Sequence, residues 1–246
     1  MLDGNWGLLL SCEHGGNHVP TEYQDLFVGA EKILVTHRGY DLGIAAFARH
    51  LAERLQAPLH LAEVTRLLVE LNRSPGHPVL FSEFSRHLGE NERRGLLERY
   101  YTPYRSSVIQ EIDQLLSNHG RVCHVSLHSF TPQLKGELRN ADIGLLYDPG
   151  RRQERDFCVL WQRKILQQDG GWRVRRNYPY RGAADSFVTF LRRRYPAEAY
   201  LGLELELNQQ WPVQGGEKWE LLQELVGSSL WSTFVAMNME ETNFQL

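Results

Sequence analysis

Cysteine, excess basic charge and long apolar runs are all scarce in this sequence, and each shortage excludes a class of protein. Three cysteines among 246 residues, with no Cys-x-x-Cys spacing, indicate neither a disulfide framework nor a zinc finger. A formal net charge of −3 argues against nucleic-acid binding through a basic face, because Lys and Arg supply most of that affinity. No apolar run is long enough to span a bilayer, and no cationic stretch precedes the first apolar run. We therefore expect a soluble, cytoplasmic protein with neither a nucleic-acid partner nor a membrane partner.

Apolar segments typical of strands alternate with amphipathic helical segments along the whole chain. A hydrophobic content of 42% is enough for a sizeable core, and the length suits a single α/β domain over residues 1–246. Strands are expected at 8–12, 58–64, 67–71, 122–127, 143–147, 172–175 and 199–207. Helices are expected over 41–51, over 91–118 with an interruption or kink at Pro103, over 151–167, before Tyr195 and over 217–237. This alternation predicts a three-layer α/β sandwich with a mostly parallel or mixed central sheet.

Four of the predicted strands end in reactive polar residues. The first runs into Glu13 and His14, the second of the four into Asn72 and Arg73, the third into His128 and the last into Glu206. In open α/β folds the ligand lies beyond the carboxyl ends of the strands, so distant segments can converge on one pocket. The pattern therefore favours an enzyme.

The alternation of side chains along two of these strands groups ionisable residues on one face. His124 and His128 share a face of their strand, and Glu204 and Glu206 share a face of theirs. Buried ionisable groups are costly unless they are paired or bind metal, and structural hydrogen bonding is the simpler explanation for His124 and Glu204. His128 and Glu206 lie where a pocket is expected. His14, just past the end of its strand, is a second histidine at a strand end. Two imidazoles and one carboxylate with an open position make a catalytic zinc site.

Six motifs together resemble one enzyme family over nearly the whole chain. They are SCEHGGNHVP at 11–20, HRGYDLG at 37–43, Arg66 with ELNR at 70–73, LHSF at 127–130, NYPY at 177–180 and ELEL at 204–207. In order and spacing these motifs are similar to the N-formylglutamate amidohydrolase family. The resemblance implies a phosphorylase/hydrolase-like α/β fold, related to that of the zinc carboxypeptidases.

The resemblance also implies roles for the residues at the strand ends. It makes His14 and His128 ligands of Zn²⁺ or another divalent metal. It makes Asn72 and Arg73 the pair that holds a substrate carboxylate, and Glu206 the glutamate that activates the nucleophilic water.

The third metal ligand is where this sequence departs from the carboxypeptidase pattern. Carboxypeptidases use a glutamate three residues after the first histidine, and here that position holds Asn17, a poor zinc ligand. Asp41 is our choice, because the amidohydrolase pattern carries an aspartate there. Glu13 is the main rival, followed by His18 and His37. Asp41 as a simple cap of the following helix is a further alternative.

The leading hypothesis is metal-dependent hydrolysis of the acyl-amide bond of a small acidic N-acyl amino acid, such as N-formylglutamate. Arg66 and Arg139 are candidates for binding a second carboxylate or the developing oxyanion, and Tyr180 is a candidate for lining or closing the pocket. One alternative is a cysteine-dependent amidase using Cys12 or Cys123. Another is a carboxylate-binding protein of the same fold that has lost metal or catalysis. The oligomeric state is not predicted.

Overall fold

The central feature of the fold is a six-stranded sheet. The computed structural model of the chain describes residues 6–242. Its strands are β1 (Trp6–Cys12), β2 (Leu59–Leu61), β3 (Arg121–Phe130), β4 (Gln133–Leu134), β5 (Glu137–Leu138), β6 (Ile143–Leu146), β7 (Val174–Arg176) and β8 (Tyr200–Asn208). The sheet has the order β2-β1-β3-β8-β6-β7, and β4 and β5 form a separate hairpin.

Helices cover both faces of this sheet. The helices of the described range are α1 (Glu31–Leu34), α2 (Ile44–Leu55), α3 (Glu90–Leu96), α4 (Thr102–His119), α5 (Arg152–Gln168), α6 (Phe187–Arg194), α7 (Gln210–Gln214) and α8 (Gly216–Thr242), of which five pack on the sheet. Helices α2, α5 and α8 pack on one face of the sheet, and α4 and α6 pack on the other. The expected three-layer sandwich is confirmed. No helix within residues 6–242 has the length and apolar character needed to cross a membrane.

Alternate residues of the central strands face opposite helix layers, as predicted. Cys123, Val125 and Leu127 of β3 lie in the core beneath α2, α5 and α8. On the opposite face, Nδ1 of His124 lies 2.7 Å from the hydroxyl of Tyr200, so this histidine has the structural role expected of it. The same face of β3, followed toward its carboxyl end, reaches the polar residues of the site.

The direction of the strands brings their polar ends to one edge of the sheet. Strands β2, β1, β3 and β8 run parallel to one another, whereas β6 pairs antiparallel with β8, so the sheet is mixed. The register places His128 of β3 directly beside Glu206 of β8. His14 follows β1, which is the neighbour of β3 on the other side. The three strand ends therefore meet as the sequence predicted.

The predicted strand at 67–71 is wrong. This segment is a buried loop of turns, and its apolar residues pack in two small clusters away from the sheet, Leu67 and Leu68 with Phe27, and Val69 and Leu71 with Leu80. A short apolar run cannot by itself distinguish a strand from a buried loop. The loop still delivers Asn72 and Arg73 to the site.

The long helical segment before β3 is interrupted, as its proline predicts. A π-helical turn at Leu97–Tyr101 lies between α3 and α4, and Pro103 follows it in the first turn of α4. The π-helical turn also contacts the site: its last residue, Tyr101, donates a 2.7 Å hydrogen bond from its hydroxyl to the carbonyl oxygen of Arg73.

Candidate metal centre and substrate cavity

Three buried side chains converge at the carboxyl ends of β1 and β3. They are His14, Asp41 and His128, whose candidate ligand atoms all lie within 4.8 Å of one another. Asp41 Oδ2 lies 3.0 Å from His128 Nδ1 and 3.5 Å from His14 Nδ1. Two imidazoles and one carboxylate form a donor set that suits Zn²⁺.

Asp41 is held in this cluster by the backbone and does not cap the following helix. The N-cap position of α2 is Gly43, whose φ of 76° lies in the left-handed region that favours glycine. The carboxylate of Asp41 instead accepts a 3.1 Å hydrogen bond from the backbone N–H of Ser129. Its own N–H donates to the carbonyl oxygen of His14, at 2.9 Å. The sequence alternative of a simple helix cap is therefore not supported.

The rival ligands are not members of this cluster. Glu13 lies on the far side of the His128 ring, with Oε2 3.2 Å from Nε2 of that ring. His18 and His37 are exposed. The side chain of Asn17 donates to the carbonyl oxygen of Leu34 at 3.2 Å, so it faces away from the cluster.

The chemistry of the three donors fits a divalent cation. Nδ1 of His14 is buried and has no hydrogen-bond partner within the part of the chain that the structure describes. Such an atom is costly unless something binds it. Burial by itself would raise the pKa of Asp41, but His14, His128 and the guanidinium of Arg66 outweigh it and hold that pKa well below its usual range. The cluster thus presents an ionised carboxylate and an unused imidazole nitrogen.

A second layer of charged groups surrounds the donors. Nε2 of His14 contacts Glu70, while Arg66 donates from Nε and Nη2 to Glu70 Oε2, at 2.8 and 2.6 Å. Arg66 also donates from Nη1 to Asp41 Oδ1, at 3.2 Å. The Arg66 side chain is therefore shared between two carboxylates. Glu70 was not singled out from the sequence, although its motif was.

A cavity of about 150 Å³ opens beside the cluster. Besides the three donors and Arg66, its lining includes Asn72, Arg73, Tyr180, Arg181, Glu204 and Glu206. Arg139 does not line this cavity; its Nη1 donates to the hydroxyl of Tyr180 at 3.0 Å, and its guanidinium lies 4.9 Å from the centroid of that ring. Glu204 accepts a 2.8 Å hydrogen bond from Ser186, as the preferred structural explanation for it predicts, and it also lines the cavity.

Glu206 lines the cavity with a carboxylate oxygen that accepts no hydrogen bond from the described residues. It is 5% exposed, and its Oε2 has no hydrogen-bond partner among residues 6–242. Burial raises the pKa of Glu206 to about 8; the nearby His128 opposes this shift, and the like charges of Asp41 and Glu204 add to it. A carboxyl group with such a pKa can both accept and donate a proton near neutral pH.

Asn72 and Arg73 are fixed at the wall of the cavity. The side-chain oxygen of Asn72 accepts a 2.7 Å hydrogen bond from the backbone N–H of Phe187, at the start of α6. Arg73 donates to the carbonyl oxygen of Asp185. Arg105 supports the loop from below, because its Nη1 lies 3.2 Å from the carbonyl oxygens of both Leu71 and Arg73. Since carbonyl oxygens carry no full charge, Arg73 remains available to a substrate anion.

Arg181 is a cavity residue that the sequence reasoning missed. Its side chain has no hydrogen-bond or ion-pair partner in the described range, and it is exposed at the cavity. The loop that carries it is nevertheless anchored, because Asn177 Oδ1 accepts from the N–H groups of Tyr147 and Gly182, at 3.0 and 3.2 Å. A Cβ on Gly182 would lie 2.3 Å from the Tyr147 nitrogen, so the backbones touch there.

The cysteines take no part in this site. All three are fully buried, and none lines the cavity: Cys12, Cys123 and Cys158. Burial raises the pKa of each thiol, which disfavours the nucleophilic thiolate. The geometry therefore gives no support to a cysteine-dependent amidase.

The chain resembles known proteins over most of its length. A family profile described as N-formylglutamate amidohydrolase matches residues 6–211. Among solved structures, a gene product of Agrobacterium tumefaciens is 28% identical with a TM-score of 0.76, over 93% of this chain and 91% of that chain. The N-formylglutamate amidohydrolase from Ralstonia eutropha JMP134 is 20% identical with a TM-score of 0.67, over 94% of both chains, and supports the fold alone. Proteins of curated function give no match. Because the family profile covers most of the sequence, the chain belongs to the N-formylglutamate amidohydrolase family.

Proposed function

We propose that this protein is a metal-dependent amidohydrolase that removes the acyl group from an N-acyl amino acid with two carboxylates, such as N-formylglutamate. The observation that carries the proposal is the buried donor cluster next to Glu206, because His14 Nδ1 and Glu206 Oε2 both lack a hydrogen-bond partner among residues 6–242. Family membership supports the reaction class, hydrolysis of an amide.

His14 Nδ1, His128 Nδ1 and Asp41 Oδ2 are the atoms that would hold the ion, with Zn²⁺ as the first choice for two imidazoles and a carboxylate. When bound, a divalent ion supplies Lewis-acid polarisation of the acyl carbonyl and lowers the pKa of water. The protein supplies the rest of the site: an ionised Asp41, a fixed pair of histidine rings and a small cavity beside them.

Glu206 is the proposed general base and then general acid. Its position beside His128 in the sheet fixes it at the edge of the cavity, and Oε2 is open to accept a proton from the attacking water. The same oxygen can deliver that proton to the leaving amine. A pKa of about 8 keeps both protonation states accessible near neutral pH.

Substrate recognition is assigned to two arginines. Within residues 6–242, Arg73 donates to backbone carbonyl oxygens alone and the side chain of Arg181 has no partner, so both guanidinium groups can bind carboxylates. Arg66 is already shared between Asp41 and Glu70, which makes it unsuitable for the second carboxylate. Two available cations in one small cavity favour a dicarboxylate substrate.

The test combines metal analysis with turnover of two nearly isosteric substrates, N-formylglutamate and N-formylglutamine. We expect one bound divalent ion, loss of metal in His128→Ala, and a lower KM for N-formylglutamate. Arg73→Met should raise KM for both substrates. Arg181→Met should raise it for N-formylglutamate alone, by about tenfold to hundredfold, since a hydrogen bond between charged groups contributes about 1.5–3 kcal/mol.

Arg155→Met is the matched control, because Arg155 pairs with Asp156 on the exposed face of α5, where both side chains are about half exposed. It should change neither KM. Failure of reconstituted protein to bind metal, or to hydrolyse any N-formyl, N-acetyl or N-succinyl amino acid, would leave a carboxylate-binding protein of the same fold. Equal KM values for the two N-formyl substrates would show that Arg181 does not bind the second carboxylate.

A further inference from the structure

The two nitrogens of His14 lie in different surroundings. Nε2 contacts Oε1 of Glu70, whereas Nδ1 has no hydrogen-bond partner in the described range and lies 3.5 Å from Asp41 Oδ2. A neutral imidazole carries a proton on one nitrogen and a lone pair on the other. A carboxylate accepting from Nε2–H therefore leaves the lone pair on Nδ1, which is the atom that points to the donor cluster.

Glu70 is itself held rigidly in place. It is 5% exposed, and its Oε1 also accepts a 3.1 Å hydrogen bond from the backbone N–H of Asn72. Its Oε2 accepts from Nε and Nη2 of Arg66, at 2.8 and 2.6 Å. With both oxygens occupied, Glu70 cannot swing to become a ligand without breaking buried hydrogen bonds.

Arg66 connects this carboxylate to a second donor of the cluster. Its Nη1 donates to Oδ1 of Asp41 at 3.2 Å, which leaves Oδ2 facing the two histidine rings. The guanidinium is planar, so its donors hold Glu70 and Asp41 in a fixed relative orientation. One arginine thus aligns a histidine indirectly, through Glu70, and an aspartate directly.

We infer that Glu70 and Arg66 are positioning residues of the metal centre: Glu70 fixes the tautomer of His14 so that Nδ1 is the ligand atom, and Arg66 holds Glu70 and Asp41 in register. This inference rests on the proposed metal dependence. It assigns to Arg66 a role in metal binding in place of substrate binding. His128 has a comparable arrangement, with its Nε2 3.2 Å from Glu13 and 2.9 Å from the hydroxyl of Ser126.

The experiment measures metal affinity by competition with a chromogenic chelator, using Zn²⁺ as the probe. Loss of the carboxylate partner of a ligating histidine typically weakens metal binding by about 10–100-fold, so this is the effect expected for Glu70→Gln and Arg66→Met. Glu70→Asp, which retains the carboxylate, should recover part of the affinity. Once saturated with metal, Arg66→Met should keep the wild-type KM, whereas a substrate-binding arginine would raise KM and leave metal affinity unchanged.

Glu63→Gln provides the matched control, since Glu63 is paired with Arg49 at 2.7 Å but both side chains are more than half exposed. Its metal affinity should equal that of the wild type. A readout that needs no variant is long-range ¹H–¹⁵N correlation at the histidine rings of the metal-loaded wild type, which should show the proton of His14 on Nε2. A proton on Nδ1, or unchanged Zn²⁺ affinity in Glu70→Gln, would overturn the inference alone; wild-type protein that binds no Zn²⁺ would overturn the proposed function first.

Discussion

Replacing Glu206 by glutamine should stabilise the metal-free protein, and should do so more strongly as the pH rises. The substitution keeps the shape of a side chain that is 5% exposed but removes its ability to ionise. Burial, together with Asp41 and Glu204, raises the pKa of Glu206 from 4.5 to about 8. Between these two pH values the folded protein therefore keeps a proton that the unfolded chain releases.

The sign of the effect follows from this difference in proton binding. Because the folded-state pKa is raised, the contribution of Glu206 to stability is fully present below pH 4.5 and is lost as the pH rises through about 8. At about 1.4 kcal/mol for each pH unit, ionising Glu206 costs the folded state at most about 5 kcal/mol. Asp41 and Glu70 have lowered pKa values and lose stabilisation in acid, but they do so in both proteins and cancel in the comparison.

The assay is urea unfolding of chelator-treated wild type and Glu206→Gln at several pH values between 5 and 9. The difference in the free energy of unfolding should be small at pH 5 and should grow to several kcal/mol at pH 9. Glu220→Gln, an exposed site on α8, is the control for simple loss of charge and should show no such trend. A difference that does not change with pH would refute the reasoning. In the metal-loaded enzyme the same variant should keep its metal and lose about 10²–10⁴-fold in kcat.

Three further predictions concern the surroundings of the site. Gly182→Ala should destabilise the protein by about 1–3 kcal/mol and raise KM, because a new Cβ would lie 2.3 Å from the Tyr147 nitrogen; an unchanged thermal midpoint would contradict this. Arg105→Met should cost about 1–3 kcal/mol in urea unfolding and raise KM, because it removes hydrogen bonds to the carbonyl oxygens of Leu71 and Arg73; wild-type stability and KM would show that the loop needs no such support. Chelator should abolish turnover and iodoacetamide should leave it intact, since the three cysteines are fully buried; inactivation by alkylation of the folded protein would revive the cysteine mechanism.

The strand ends could be predicted because two simple regularities apply to them. Side chains alternate along a strand, and parallel strands end at the same edge of a sheet. His128 and Glu206 satisfy both, and the register indeed sets them side by side. Asn72 and Arg73 do not lie at a strand end. They belong to a buried loop that hydrogen bonds from Tyr101 and Arg105 hold at the cavity. Nothing local to residues 67–71 reveals those contacts.

The partners of the arginines could not be predicted for a similar reason. Arg66 and Glu70 are four residues apart, a spacing that in sequence indicates a helical surface pair, yet here they lie in a loop and Glu70 is buried against His14. Arg139 does not line the cavity and instead donates a hydrogen bond to the hydroxyl of Tyr180. For Arg181, the sequence indicates only that it belongs to a polar and aromatic loop, and nothing there predicts that it lines the cavity. Which arginine is free depends on which carboxylates fold next to it, and that is a property of the tertiary structure.

The distribution of charge explains why Glu206, among the carboxylates around this centre, is suited to proton transfer. Glu13 is matched by His128 and two serine hydroxyls, and Asp41 and Glu70 are matched by His14 and Arg66, so each stays ionised with a lowered pKa. Glu206 shares their burial, but its Oε2 has no hydrogen-bond partner in the described part of the chain, and burial raises its pKa despite the nearby His128. Carboxylates whose charge is fully matched are held in one protonation state and serve as ligands or positioning groups. The carboxylate left unmatched beside the cavity is the one that can change protonation during a reaction.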